Sequence, residues 1–230
     1  MGVPTLTAID PLSQSGFLTD TVFGSTRKVY RFDGNVTSSE NAGLYLSTVG
    51  VLKNDNAYSV EMVFKFEENQ SSWENIFGVS NRQSDNALYI DPSNRLEVWP
   101  SGDGPDEFSF GNYHHVTLTN DGAGQVTGYL DGIFQFDLTT TSMDFSAYSQ
   151  ENSDRLIHFF ADNVAAGGQN EFADGHVALI RLYDQELTSK DVGDLDENPF
   201  PVIPIPSAAL LFGSGLLGLI GVSKRKKAYK

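Results

Sequence analysis

Between residues 20 and 185 apolar and polar positions alternate with period two rather than 3.6, and Gly, Pro, Asn, Asp and Ser interrupt the alternation at short intervals. Side chains on a strand point to opposite faces in turn, so this pattern predicts short strands. The clearest is 58–66, with Tyr58, Val60, Met62, Phe64 and Phe66 on one face and Ser59, Glu61 and Lys65 on the other, Val63 being the exception. One face is expected to pack and the other to look out. Further strands are predicted at 76–80, 87–90, 95–99, 115–120, 126–130, 133–138, 156–161 and 176–183. Asp131-Gly132 supplies a two-residue hairpin loop between two of them, because a type I′ turn needs positive φ twice. About a dozen short strands at this spacing predict an all-β fold, a two-sheet antiparallel jelly-roll sandwich, and not a parallel α/β sheet.

One short helix follows the last strand. Thr188-Ser189-Lys190-Asp191 forms a capping box with Asp in the Glu position, and the helix runs to about Leu195 before Asp196-Glu197-Asn198-Pro199 stops it. The body is therefore assigned to 1–198. In 199–206 prolines at 199, 201, 204 and 206 favour an extended linker. The uncharged stretch 207–223 is rich in Leu, Ala, Gly and Ile. At ~1.5 Å per residue it reaches roughly 25 Å, and flanking residues can close the gap to a ~30 Å hydrocarbon core, which predicts a C-terminal apolar, transmembrane helix. The alternative is a buried core helix. In the tail 224–230, Lys224, Arg225, Lys226 and Lys227 form a basic stop, which the positive-inside rule keeps cytoplasmic, with the body on the far side of the inner membrane.

Charge sharpens this division. The formal net charge is −15, yet the last seven residues hold five of the 15 basic side chains and none of the 30 acidic ones, leaving 10 basic against 30 acidic ahead of them. A body this acidic repels phosphate backbones, so nucleic acid is excluded as the expected partner. The absence of cysteine excludes thiolate nucleophiles, zinc knuckles and cysteine-ligated iron–sulfur clusters. The first ten residues contain no basic n-region and no apolar run, so they are not a signal peptide, and Leu6 breaks the myristoylation pattern. The expectation is that the leader is missing from this sequence because its start is annotated late.

Pro-x-Pro, an apolar stretch from Leu210 to Gly221 and a basic tail, in that order, resemble a PEP-CTERM sorting signal. Ile203-Pro204-Ile205-Pro206 is closest to its Val-Pro-Leu-Pro variant. The resemblance implies export, transient tethering to the inner membrane with the body periplasmic, and processing by an exosortase. The cell surface or the medium is then the destination.

Five further segments carry a second resemblance. Tyr30-Arg31-Phe32-Asp33-Gly34, Tyr58-Ser59-Val60-Glu61-Met62-Val63-Phe64, Tyr113-His114-His115-Val116-Thr117-Leu118-Thr119, Tyr129-Leu130-Asp131-Gly132 and a closing run from Gly175 to Asp184 before Leu187-Thr188 stand in one order over about 160 residues. Together they resemble the laminin-G-like, concanavalin A-like lectin/glucanase superfamily, which implies a jelly-roll lectin or glucanase scaffold. Two positions depart from its pattern: Tyr113 stands where relatives carry Trp, and Ala178 where many carry Asp.

The chemistry is sparse. The glucanase branch would require Glu-x-Asp-x-Glu or Glu-x-Asp-x-x-Glu on one strand, aiming alternate carboxylates into a cleft, and no such run exists. Its nearest approaches, Asp103-Gly104-Pro105-Asp106-Glu107 and Glu151-Asn152-Ser153-Asp154, read as solvated turns. No P-loop, G-x-S-x-G or H-E-x-x-H motif is present. His114 and His115, adjacent on a strand, face opposite ways and cannot share a metal, and His158 and His176 read as structural. Asp162, Asn163, Asn170, Glu171 and Asp174 are hard oxygen donors near a loop rim and suit calcium; the competing reading is a polar loop around Gly167-Gly168. For carbohydrate, Trp73 and Trp99 are the candidates, because sugar C–H faces stack on rings, although most aromatics in a sandwich are core.

These observations lead to an exported, exosortase-sorted, non-catalytic binding module for carbohydrate or another cell-surface or extracellular matrix polymer. The alternatives are a structural or adhesive matrix protein that uses the sandwich for contacts with a surface protein, and a diverged glycan hydrolase.

Overall fold

The computed structural model describes residues 5–34, 41–53, 56–68, 73–165, 171 and 173–201. Its strands are β1 (Thr7–Ile9), β2 (Gly16–Val22), β3 (Ser25–Asp33), β4 (Gly43–Ser47), β5 (Ala57–Phe66), β6 (Glu74–Gly78), β7 (Leu88–Ile90), β8 (Arg95–Val98), β9 (Gly102–Glu107), β10 (His114–Asp121), β11 (Gln125–Leu130), β12 (Ile133–Thr139), β13 (Leu156–Phe159) and β14 (Asp174–Tyr183). They form two seven-stranded sheets with antiparallel pairings, ordered β1-β4-β13-β6-β7-β8-β9 and β12-β11-β10-β5-β14-β3-β2. The predicted sandwich is therefore present. Alternation decides what it encloses: Leu88 and Ile90 of β7, Leu96 and Val98 of β8, and Val60, Met62, Phe64 and Phe66 of β5 all enter one core. Phe32, Phe64, Phe66, Phe108 and Phe160 cluster there, with Phe32 and Phe160 stacked at 3.9 Å between centroids.

Local chemistry sets the turns and the helix. Asp131 and Gly132 take φ of 50° and 73°, the two positive angles the tight β11–β12 hairpin requires. Thr188 caps α1 (Ser189–Glu197): its side chain accepts from the Asp191 amide, and the Asp191 carboxylate accepts in return from the Thr188 amide. Val192 of α1 is fully buried with Tyr129 and Leu187, and Leu195 packs beside them against Tyr183.

Three expectations are corrected. The second face of β5 does not look out: Ser59 and Glu61 are both 0% exposed. The segment leading to α1 crosses that face, with Ser59 Oγ donating to the Gln185 carbonyl and accepting from the Leu187 amide, each at 2.9 Å. Residues 103–107 lie in β9 and are not a free turn. Their Gly and Pro are tolerated because β9 ends its sheet and pairs only with β8. The strand expected over 156–161 stops at Phe159, because Phe160 adopts φ of 64°, which breaks the alternation and turns both Phe159 and Phe160 into the core. Five strands that the alternation did not reveal, β1, β2, β3, β4 and β9, complete the sheets.

The chain divides into Met1–Pro199, described above, and Phe200–Lys230. The sorting motif Ile203 to Pro206, the apolar stretch 207–223 and the basic stop Lys224 to Lys227 lie outside the described residues. Among the described residues no helix is long and apolar enough to cross a membrane.

Candidate functional site

Register builds the site on the face of the first sheet that turns away from the core. With Leu88 and Ile90 facing inward, Tyr89 faces out, opposite Asn75 on β6 and Glu97 on β8. Trp73 precedes β6 and Trp99 follows β8, so two short strands deliver both indoles to the same place. The Trp73 ring meets Trp99 edge-on at 5.2 Å between centroids and Tyr89 at 5.7 Å. With Asp85, from the β6–β7 loop, and Glu171, from the β13–β14 connection, these rings line a pocket of about 110 Å³. Trp99 is 39% exposed, whereas Tyr89 is buried and its hydroxyl donates to the Asp85 carbonyl at 3.0 Å.

The carboxyl groups are held from behind. After the turn at Phe160, Asp162 is fully buried and accepts from the amides of Asn163, at 2.6 Å, and Glu171, at 3.1 Å. Asn163 Nδ2 donates to Asp85 Oδ1 at 2.8 Å, and Arg82 Nε donates to the Asp162 carbonyl. Burial, then the nearby charges of Asp162 and Asp85, push Glu171 up to about 9, so it is a neutral acid at pH 7. Asp162 is also raised, mainly by burial. Across from Tyr89, burial with Asp91 and Asp103 lifts Glu97 to about 7.

Two residue sets that the sequence kept apart thus meet: Trp73 and Trp99 from the sugar candidates, Glu171 from the calcium candidates with Asp162 and Asn163 behind it. Asp174 stands instead at the head of β14, opposite Asp33, and Asn170 lies outside the described residues. Among the described residues no group of three or more His, Asp or Glu is arranged to hold a metal ion. Sequence reasoning missed Asp85 and Tyr89. Tyr89 could have been found, since an outward Tyr on a strand between two core residues needs something to cover it.

The histidines serve the scaffold. His114 lies between Asp131 and Ser109, at 2.7 and 2.8 Å, and His176 bonds Asp20 at 2.8 Å. Burial, reinforced by Arg82, pushes His158 down to about 4, so it is neutral. Glu151 and Asp154 are exposed on either side of Asn152, whose buried amide donates to the Val79 and Leu156 carbonyls, so that segment is a structural knot.

Two larger hollows offer a polar ligand less, one being apolar and the other having its main polar groups engaged with one another. One of about 260 Å³ is an apolar seam between β1–β4 and β14–β3, lined by Leu6, Phe17, Tyr30 and Leu44 among others. The other, about 370 Å³, is bordered by Asp20, Lys65 and Tyr113, which bond one another.

A family model described as the concanavalin A-like lectin/glucanases superfamily matches residues 38–193. Among solved structures, domain 4 of AbnA, a GH43 extracellular arabinanase from Geobacillus stearothermophilus, in complex with arabinotriose, is similar at TM-score 0.54 and 18% identity, over 85% of this chain and 88% of that one. A botulinum neurotoxin type C structure, concerned with cell entry through two ganglioside molecules, matches at 0.55 and 14%, over 84% of this chain and 46% of that one. A Trypanosoma rangeli sialidase bound to 2,3-difluorosialic acid matches at 0.54 and 13%, over 75% and 28%. At these identities the likeness is one of fold. No curated protein matches the chain.

Proposed function

The chain belongs to the concanavalin A-like lectin/glucanase superfamily, and on that premise we propose that it is a non-catalytic glycan-binding module whose site is the pocket of Trp73, Tyr89 and Trp99. The observation that carries this reading is the convergence of three aromatic rings with hydrogen-bonding carboxyls in one open pocket. Rings contact the apolar C–H face of a sugar while polar groups fix its hydroxyls. The arabinotriose complex of the arabinanase domain is in keeping with this use of the fold.

Hydrolysis is the less favoured use of the same carboxyls. Retaining glycosidases hold their two carboxyl groups about 5–5.5 Å apart and inverting ones further, whereas Asp162 and Asp85 crowd Glu171 closely enough to help hold its proton on.

The tripartite C-terminal segment supports, by resemblance alone, sorting by an exosortase-type enzyme after export, with 207–223 as a transient inner-membrane anchor and an extracellular polysaccharide or surface protein as the partner. The decisive experiment is a binding isotherm of the 230-residue chain in detergent against exopolysaccharide of the producing cells, for the native protein and Trp99→Ala. Saturable binding that Trp99→Ala weakens at least tenfold is expected. Saturable binding to a partner protein with none to glycan would replace this reading by the adhesive one.

A further inference from the structure

The pocket has the wrong charge for an acidic sugar and the wrong size for a whole hexose. Its volume of about 110 Å³ equals roughly four waters' share of liquid, enough for one substituent of a ring that rests outside against Trp99. Asp85 and Glu171 line it and Asp162 stands behind. Among the described residues, the charged and titratable groups facing Glu171 are Asp85, Asp162 and the phenol of Tyr89, with Arg82 reaching the Asp162 carbonyl from the β6–β7 loop. Three carboxyls thus face one guanidinium. Glu171 Oε2 is buried and receives no hydrogen bond from any described residue.

An arrangement with surplus carboxyls and aromatic walls is complete when a cation enters. Rings attract a cation over their faces, more strongly where the site is desolvated. A bare calcium ion is poorly served, because it takes six to eight oxygen ligands and half of this wall is carbon. An ammonium group needs only a few acceptors. Resting on the glycan-binding reading above, we propose that the Trp73–Tyr89–Trp99 pocket selects a sugar carrying a free amine, its ammonium group lying between Asp85 and Glu171. The ammonium takes the place of the Glu171 proton, which leaves to solvent, so binding releases a proton. A uronate is rejected, since its carboxylate would meet two acids, and an N-acetylated sugar brings no charge.

The test is calorimetric titration of the full chain in detergent, at pH 6.5 and about 0.15 M salt, with the glucosamine disaccharide and its N,N′-diacetylated counterpart. We expect the amine form to bind at least tenfold tighter, and its heat to vary with the ionisation enthalpy of the buffer because a proton is released. Glu171→Gln should abolish the preference and the buffer dependence. Trp99→Ala should also abolish the preference while leaving the net charge unchanged, which separates the pocket from the general field of an acidic protein. Equal binding of the two disaccharides, or an amine preference that survives both substitutions, overturns the proposal and leaves the glycan reading standing. Binding only to a neutral exopolysaccharide overturns the amine class in the same way. A chain that binds no glycan at all removes both.

Discussion

His115 Nε2 lies 3.3 Å from Glu61 Oε1, with the imidazole 1% and the carboxylate 0% exposed. Three other groups make this burial tolerable. Arg181 Nη1 donates to both Glu61 oxygens at 2.9 and 3.1 Å, the Tyr183 hydroxyl donates to Oε2, and His115 Nδ1 bonds Asp196 of α1 at 2.9 Å. The network ties β5, β10 and β14 to the helix that closes the domain. Burial alone would lower the His115 pKa, but Glu61 and Asp196 outweigh it and hold the pKa above its ordinary value. Burial would likewise raise Glu61, yet its partners bring it below the ordinary carboxylate range. A His with a raised folded pKa contributes stability that is full below about 6.5 and lost as pH rises through the folded value. The Glu contribution is full above about 4.3 and lost as pH falls through its lowered value. The network's own contribution is therefore greatest near pH 5–6, so the difference in Tm between the native protein and His115→Gln should be largest there and shrink as pH rises through the folded His115 value.

Removing Glu61 should cost far more than removing a surface acid. Glu61→Ala leaves Arg181 and His115 facing a void, and breaking a buried pair typically costs about 3–5 kcal/mol. Urea unfolding should show a loss of at least about 3 kcal/mol. Glu67→Ala, whose side chain is 44% exposed beside Lys65, should cost no more than about 1 kcal/mol. Similar losses for the two would show that the solvent screens Glu61 after all.

Gly132 is required twice over. Its φ of 73° suits residues without a side chain, and an added Cβ would lie 2.8 Å from Asp196 Oδ2, the residue that bonds His115. Gly132→Ala should cost roughly 1–2 kcal/mol from the left-handed backbone alone. It should also loosen α1, which can be read as faster amide exchange in the helix than in β5. Uniform exchange across both would mean that the turn and the helix are uncoupled.

Much of this scaffold was legible in the sequence. The 58–66 alternation, the Asp131-Gly132 turn and the Thr188–Asp191 capping box each express a local rule and are found as β5, the β11–β12 hairpin and the start of α1. β9 was hidden because Gly-Asp-Gly-Pro-Asp-Glu has no strand propensity of its own, and only pairing with β8 makes it one. The burial of Glu61 was hidden because its cover comes from residues more than 50 positions away, His115, Arg181 and Tyr183. The two tryptophans were visible as candidates. Their meeting with Glu171 depends on where the β13–β14 connection places that residue, which no spacing encodes.

The indoles should separate binding from stability. Trp99 is the more open of the two, so Trp99→Ala should weaken glycan binding at least tenfold while changing Tm by less than about 3 °C. Trp73 touches both Tyr89 and Trp99, so Trp73→Ala should lose binding and also lower Tm by more than that, because Tyr89 is uncovered. Titrations and melts on the same preparations check both. A Trp99→Ala protein that binds as well as the native one would remove this pocket as the site.

Glu171 gives the last prediction, and its sign is opposite to that of an ordinary carboxylate. Burial and the neighbouring Asp162 and Asp85 raise its folded pKa to about 9, while in the unfolded chain it ionises near 4.3. Between those values the folded state holds the extra proton, so stability falls as pH rises across the window and the loss is complete above about 9. Glu171→Gln keeps the neutral shape at every pH. At pH 5 it should therefore melt close to the native protein, and at pH 9 it should melt higher, by at least the roughly 2–4 °C that 1 kcal/mol represents in a domain of this size. Parallel melting curves for the two proteins across pH 5–9 would mean that Glu171 titrates normally and that the carboxyl cluster is wetter than its burial indicates.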